Sequence, residues 1–321
     1  MRGFPINAKP EARVAVTGGN GFVGRHVMTE LARRGYDDAK ALGRAECDLA
    51  DANAVRALLD RVRPTHVIHL AAAAGGIGAN LATPGFFAYA NTIMGANVLE
   101  ACRVCGVGKL VNIGTICVYP HDAPVPTPEV AMFEGFPASD TAPYGIAKRN
   151  LWMMGSAYRK QYGMDIIYVI PTNIYGPGDH FDPDRSHVVS ALIRRFIEAR
   201  NEGAQEVQIW GDGSVTREFI YAEDIAIGIV DAMERYSAPE PLNLGTGEET
   251  SIRELAEIIR DLTRFKGVLT WDPTKPAGAL RRSLDVSRAR SEIGFHARTS
   301  LEAGLSATIE WYEECCNKKE L

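Results

Sequence analysis

No run of the 321 residues is apolar for long enough to span a bilayer, so no membrane association is expected. Basic excess is missing too. Lys and Arg number 35 against 40 Asp and Glu, a formal net charge of −5, which leaves no footprint for nucleic acid. The opening stretch MRGFPINAKPEAR has no apolar core of the kind a secretory leader needs. Six cysteines, at 47, 102, 105, 117, 315 and 316, are too few and too scattered for a disulfide framework in a chain of this size. Cys102 and Cys105 form a CxxC, but they lie in the helical pattern NVLEACRVCGVGKL with no second pair and no nearby histidine. Packing is the reading, and no metal is expected. Internal repeats and low-complexity tracts are absent as well. The cytoplasm is the compartment these absences leave.

What remains is ordinary globular composition, 46% hydrophobic and 23% charged, arranged in a regular alternation. Apolar, β-branched runs (RVAVTGG, a short one near AKALG, PTHVIHLAA, KLVNIGT, DIIYVIPTNIYGP) alternate with segments of helical spacing (GFVGRHVMTELARRG, CDLADANAVRALLDRV, YANTIMGANVLEACRVCGV, YGIAKRNLWMMGSAYRKQYG). Strands that are apolar throughout, separated by helices, predict a Rossmann-like doubly wound parallel sheet covered on both faces. After Pro177 the character changes. A polar loop, GDHFDPDRSH, leads to a helix, a strand at VQIWGDG, a strand and helix at REFIYAEDIAIGIVDAMERY, then SIRELAEIIRDLT, GVLTWD and a terminal amphipathic helix. This predicts a smaller, discontinuous α/β substrate lobe at about 177–216 plus 246–321. The dinucleotide-binding domain would comprise 1–176 plus about 217–245.

The first strand ends in TGGNGFVG. Gly18, Gly21 and Gly24 are spaced G-x-x-G-x-x-G, with Phe22 and Val23 between the last two. Glycines there let the backbone turn sharply against a pyrophosphate, and the helix that follows offers free N–H groups. A plain glycine turn is the bland alternative; the strand before and the helix after weigh against it. The second strand ends at ALGR. Arg44 is placed to meet a 2′-phosphate where an acidic residue would select NAD, so NADP(H) is the expected cofactor. Asp48 and Leu49, opening the next helix, are candidates for adenine contact, with helix capping the alternative role for Asp48.

Further on, NIGTICVYP puts Thr115 and Cys117 two positions apart at a strand exit, on one side if the strand continues. YGIAK then supplies Tyr144 and Lys148, four apart on one helical face. A lysine beside a tyrosine favours phenolate, so Thr115, Tyr144 and Lys148 form a set able to exchange a proton with a sugar oxygen while hydride moves at a nicotinamide.

From these residues outward the chain resembles the extended short-chain dehydrogenase/reductases, and within them the GDP-L-fucose synthase family, the GDP-4-keto-6-deoxy-D-mannose 3,5-epimerase/4-reductases. The resemblance runs through AAAAGGIGAN, CVYP, PYGIAK, YRKQYG, PTNIYGPGDHF, HVVSALIRRF, WGDGSVTREFIYAEDIA and KPAGALRRSLDVSRA. It implies that Thr115 stands at the active-site serine, Tyr144 and Lys148 are the reductase pair, and Cys117 and His187 are the two epimerisation residues. It also implies that Asn173, Arg195, Trp210, Arg217 and Lys275 hold a GDP-sugar, and that the protein is a homodimer. Asn91 is expected to support the sheet or the site. The chemistry fits: a C4 ketone acidifies C3–H and C5–H, and a thiol and an imidazole titrate near enough to neutrality to serve on opposite ring faces. Departures are GTIC where the family has GSSC, and AAAAGG without the family's lysine. A related GDP-sugar 4-reductase, for example on a 6-deoxy-heptose, or an NAD-retaining epimerase are the alternatives within the superfamily. A cofactor-binding regulator without catalysis is the alternative outside enzymes.

Overall fold

The computed structural model describes residues 12–183, 186–275 and 279–318. Residues 1–11 of the stretch read for a leader lie outside them, as does part of KPAGALRR. The predicted central sheet is present: β1 (Val14–Thr17), β2 (Lys40–Leu42), β3 (His66–His69), β4 (Lys109–Ile113), β5 (Asp165–Pro171) and β10 (Leu242–Leu244), in the order β10-β5-β4-β3-β1-β2. All pairings are parallel. The last strand has only three residues, too short to announce itself by pattern.

Alternation along each strand sends neighbours to opposite faces. Ala15, Val67, Leu110 and Ile166 join one core with α2 (Ala52–Val62), α4 (Pro84–Val104) and α5 (Ala142–Tyr162). Val14, Val16, Ile68, Val111 and Ile167 join another with α1 (Phe22–Arg33), α7 (Ala222–Arg235) and α9 (Ser287–Ile293). From β1 the chain runs to β2 on one side and eventually to β3 on the other. The carboxyl ends of β1 and β3 therefore open on the crevice where open α/β sheets bind ligands. A short α3 (Ile77–Ala82) follows that crevice.

The run DIIYVIPTNIYGP is not one strand. Pro171 closes β5, and after Thr172 the chain starts β6 (Asn173–Tyr175), which pairs in parallel with β9 (Phe219–Tyr221) outside the main sheet. Proline has no N–H to extend a ladder, and Thr172 and Asn173 instead donate from their side chains to the Glu218 carbonyl. A third core gathers around this pair, formed by α6 (Val188–Glu202), α8 (Ile252–Thr263) and α10 (Leu301–Lys318), with Ile193, Phe196, Leu255, Ile259 and Leu305 at its centre. Phe181 stacks on Tyr312 at 4.2 Å. Two small ribbons complete it: β7 (Glu206–Trp210) with β12 (Val268–Asp272), and β8 (Thr216–Arg217) with β11 (Thr250–Ser251). Ser251 and Glu254 form a reciprocal capping box that starts α8.

One buried carboxylate ties these parts together. Glu218 is fully buried and accepts from the backbone N–H groups of Thr246 (2.6 Å), Gly247 (2.9 Å) and Leu284 (2.7 Å). Burial pushes its carboxyl up and these donors pull it back. It thereby fixes the loop after β10 and residue 284 against the strand carrying Arg217.

Candidate active site

The glycine turn has the shape a dinucleotide pyrophosphate needs. Gly18 has φ +73°, and a Cβ there would lie 2.9 Å from the Ala71 nitrogen at the end of β3. A Cβ on Gly24 would lie 2.1 Å from the Gly18 carbonyl oxygen, so strand exit and helix start touch backbone to backbone. Gly21 is the N-cap of α1 and contributes no side-chain bond, which leaves the first helical N–H groups, those of Phe22 and Val23 among them, for an anion. These residues fit the diphosphate of a nicotinamide dinucleotide. Arg44 follows β2 on the surface, exposed. Glu46, which the sequence reading passed over, accepts from the Gly43 N–H at 2.7 Å; its charge is engaged in closing this turn. The expected capping role of Asp48 belongs to Asp51, which accepts from Asn53 and Ala54 N–H, whereas Asp48 accepts from Ala50. Leu49 packs against the core, and its carbonyl takes a bond from Asn97.

At the end of β4 the expected alternation of Thr115 and Cys117 on a continuing strand is wrong. The strand stops at Ile113, and Ile116–Val118 form a 3₁₀ turn capped by Thr115, whose Oγ1 accepts from Cys117 N–H at 3.3 Å. Both residues come to Tyr144 through this turn instead. Gly145 of α5 makes the approach possible, since a Cβ there would lie 2.3 Å from the Cys117 carbonyl oxygen. Tyr144, next to it, is hydrogen-bonded to Thr115 and lies close enough to Cys117 for their charges to interact. The Phe87 ring meets the Tyr144 ring edge-on at 6.3 Å.

The sequence also predicted that Lys148 favours a Tyr144 phenolate. Here burial, and then Cys117, push the phenol well above its usual value, with the Thr115 bond working the other way. Lys148 turns instead to the Ile113 carbonyl at 3.0 Å, and burial brings its ammonium down to about 8. The phenol is held protonated. Beneath it, His69 bonds Thr17 at 2.7 Å, and burial takes its imidazole down to about 3, a neutral packing group the sequence did not flag.

His187 begins α6 as its N-cap without a side-chain cap bond. The residue is exposed, and the protein packed around it, then the like charge of His180, lower its pKa. Position comes from the loop after β3: a Cβ on Gly76 would lie 2.9 Å from the Ser186 carbonyl oxygen. That loop is pinned by buried Asn91, whose side chain accepts from Ala73 N–H and donates to the Ala73 and Phe87 carbonyls.

Of the residues expected around a GDP-sugar, Arg217 is the one whose contacts lead to Cys117. Arg217 donates to the Ala279 and Thr216 carbonyls at 2.7 Å; burial, then the like charge of Arg282, bring it down to about 10, with Cys117 opposing. Arg195 donates to the Gln208 carbonyl. Trp210 is 52% exposed, with the Lys275 ammonium 6.0 Å from its ring centre. Asn173 is committed to the Glu218 carbonyl at 2.8 Å, which leaves its amide oxygen for other partners. Arg282, unmarked in the sequence reading although inside a quoted motif, reaches to 3.9 Å from Cys117 Sγ. Among the described residues no group of His, Cys, Asp and Glu is arranged to hold a metal ion, and no helix is long and apolar enough to cross a membrane.

A glycine-lined crevice at a switch point, beside a hydroxyl–tyrosine–lysine set, defines a dinucleotide-dependent α/β enzyme. The model of the NAD dependent epimerase/dehydratase family matches residues 14–245, and the chain belongs to that family. It is 40% identical over 308 residues to GDP-L-fucose synthase 1 of Arabidopsis thaliana, covering 96% of this chain and 95% of the relative. Among solved structures, a GDP-L-fucose synthetase from Naegleria fowleri bound to NADP superposes with a TM-score of 0.88 at 29% identity, covering 98% of this chain and 97% of the other. A GDP-6-OMe-4-keto-L-xylo-heptose reductase from C. jejuni gives a TM-score of 0.88 at 27% identity, covering 94% and 98%.

Proposed function

We propose that this protein is an NADPH-dependent 3,5-epimerase/4-reductase acting on a GDP-4-keto-6-deoxy sugar, in the manner of the GDP-L-fucose synthases it is similar to. The observation that carries the reading is the approach of Tyr144 on α5 to the turn after β4 that bears Thr115 and Cys117.

The hydroxyls of Thr115 and Tyr144 hold the C4 ketone oxygen and stabilise the enolate that forms when a neighbouring C–H is lost. Cys117 and His187 serve as base and acid on opposite faces of the ring at C3 and C5. Gly18, Gly21, Phe22, Val23 and Gly24 would hold NADPH, with Arg44 at its 2′-phosphate, and the bound cofactor would provide the hydride for C4. Tyr144, kept protonated by its surroundings, gives its proton to the oxygen as the alcohol forms. Lys148, which titrates near neutrality, is suited to restoring it. Arg195, Arg217 and Lys275 engage the diphosphate, and Trp210 and Asn173 the nucleoside and sugar ends.

The same reading divides the chain into a cofactor domain, 1–176 with about 217–245, and a nucleotide-sugar lobe, about 177–216 with 246–321. It makes the protein cytoplasmic and homodimeric. Support for the dimer is the outer face of the packed pair α4 and α5, where Phe86, Tyr89, Ile146 and Met153 are exposed. A 4-keto-heptose as substrate is the second reading, favoured by Ile116 in place of a hydroxyl and by the likeness to the heptose reductase.

The test is incubation with GDP-4-keto-6-deoxy-mannose and NADPH in deuterated water. Loss of reduced-nicotinamide absorbance reports reduction, and deuterium at C3 and C5 reports each epimerisation. Cys117→Ser is expected to suppress label uptake while direct C4 reduction continues; uptake at the wild-type rate in that variant removes the thiol from the mechanism.

A further inference from the structure

Residues 279–285 cross the cleft as a strap bonded by its backbone on both sides. The Leu280 carbonyl accepts from Thr216 N–H at 2.9 Å, and the Ser283 carbonyl accepts from Thr127 N–H at 2.8 Å. Leu284 N–H reaches Glu218, and Asp285 N–H reaches the Thr127 carbonyl at 2.9 Å. Arg282 lies between these anchors, so its Cα has little freedom. Its half-buried guanidinium ends 3.9 Å from Cys117 Sγ, and that sulfur is its one hydrogen-bond acceptor among the described residues.

A half-buried guanidinium ordinarily finds a carboxylate or carbonyls, as Arg217 does with two carbonyls. A neutral thiol is a weak acceptor; a thiolate is a strong one for a charged donor. Among the described residues, the titratable groups whose interactions reach the sulfur are Tyr144 from α5, Arg217 from β8 and Arg282 from the strap. Two of these three are cations.

We propose that Arg282 is a positioning residue for epimerisation: it fixes the Cys117 sulfur in the cleft and is the counter-charge for its thiolate. The inference rests on the epimerase reading and deepens it by making Cys117 the base. The thiolate takes the proton from the carbon beside the ketone, the S–H bond forms, and the C–H electron pair moves to the ketone oxygen. The proton returned on the other face comes from the His187 imidazolium, so the ring carbon is inverted with no net change in charge.

The test uses the free enzyme and iodoacetamide, with Cys117 modification followed by peptide mass spectrometry to separate it from the other five cysteines. Removing an opposite charge at this range is expected to slow alkylation at pH 7 by about tenfold and to move its pH–rate profile upward in Arg282→Gln. Arg282→Lys keeps the charge and restores most of the rate. Arg282→Met, retaining the aliphatic stem, is the second neutral variant should the glutamine variant fold poorly. Deuterium uptake at the sugar falls in step with alkylation, while KM for the GDP-sugar changes little. Unchanged alkylation in both neutral variants overturns the proposal. So does a raised KM with unchanged alkylation, because Arg282 would then serve the diphosphate. Normal deuterium uptake in Cys117→Ser also overturns it, because the thiol is then not the base. Absence of deuterium uptake in the wild-type enzyme is a different failure: it overturns the epimerase reading itself.

Discussion

The cofactor crevice and the sugar cleft are adjacent, yet they are built from different material. Around Gly18, Gly21 and Gly24 the working surface is backbone, and its shape depends on side chains being absent. Around Cys117 the working surface is side chain, brought together from a 3₁₀ turn, α5, β8 and the strap. The first is fixed within seven residues of sequence. The second exists only after the sheet, the lobe and Glu218 have assembled, and each member is held by a neighbour that does no chemistry: Gly145 for the turn, Asn91 for the loop against Ser186, Glu218 for the strap.

If that contrast is right, the crevice should fail through shape. Gly24→Ala puts a methyl carbon 2.1 Å from a carbonyl oxygen that cannot swing away. The expected result is destabilisation of about 3 kcal/mol, with NADPH affinity lost in a fluorescence titration even where the variant stays folded. Wild-type affinity in that variant would show that the turn is looser than its contacts imply. The cleft should fail through chemistry at unchanged shape. Tyr144→Phe removes one hydroxyl and keeps the ring against Phe87. NADPH binding and the melting temperature are expected to stay, and single-turnover reduction to fall by about 10²–10⁴. A loss below tenfold would move the proton donor elsewhere.

The same contrast explains what was legible in the sequence. The doubly wound sheet could be read because each buried strand is an apolar run and each helix shows its own period. The glycine turn could be read because its constraint is local. The break at Pro171–Thr172 was hidden inside a continuous apolar run, since periodicity cannot tell which sheet a strand joins. Thr115 and Cys117 were matched through the wrong geometry, strand alternation in place of a capped turn. Asp51 rather than Asp48 caps α2 because the helix starts later than the apolar pattern alone indicates. Arg282 and Glu218 could not have been singled out, because their partners lie 165 and 28 or more positions away. Only the fold gives them a reason to be charged.

The smallest effect expected is a cost carried by the loop that leads to His187. Asp179 in that loop is 6% exposed, with Oδ1 on the His180 N–H at 2.7 Å and Oδ2 without a hydrogen-bond partner among the described residues. Burial pushes its carboxyl up to about 6, with the His180 amide and then the Ser190 hydroxyl pulling the other way. Between the ordinary carboxylate value of 3.8 and about 6, the folded chain therefore binds more protons than the unfolded one. Stability falls as pH rises through that window and is flat above it. The shift corresponds to a few kcal/mol at most, and to about 2 kcal/mol once local relaxation is allowed for. Asp179→Asn removes the charge and supplies an N–H donor where the unpaired oxygen stands. In urea titrations the variant should be the more stable protein at pH 7, by about 2 kcal/mol, and the gap should close toward pH 4. A gap independent of pH would mean that Asp179 is not the group titrating. A variant less stable at pH 7 would mean that Oδ2 does have a cation or a donor against it.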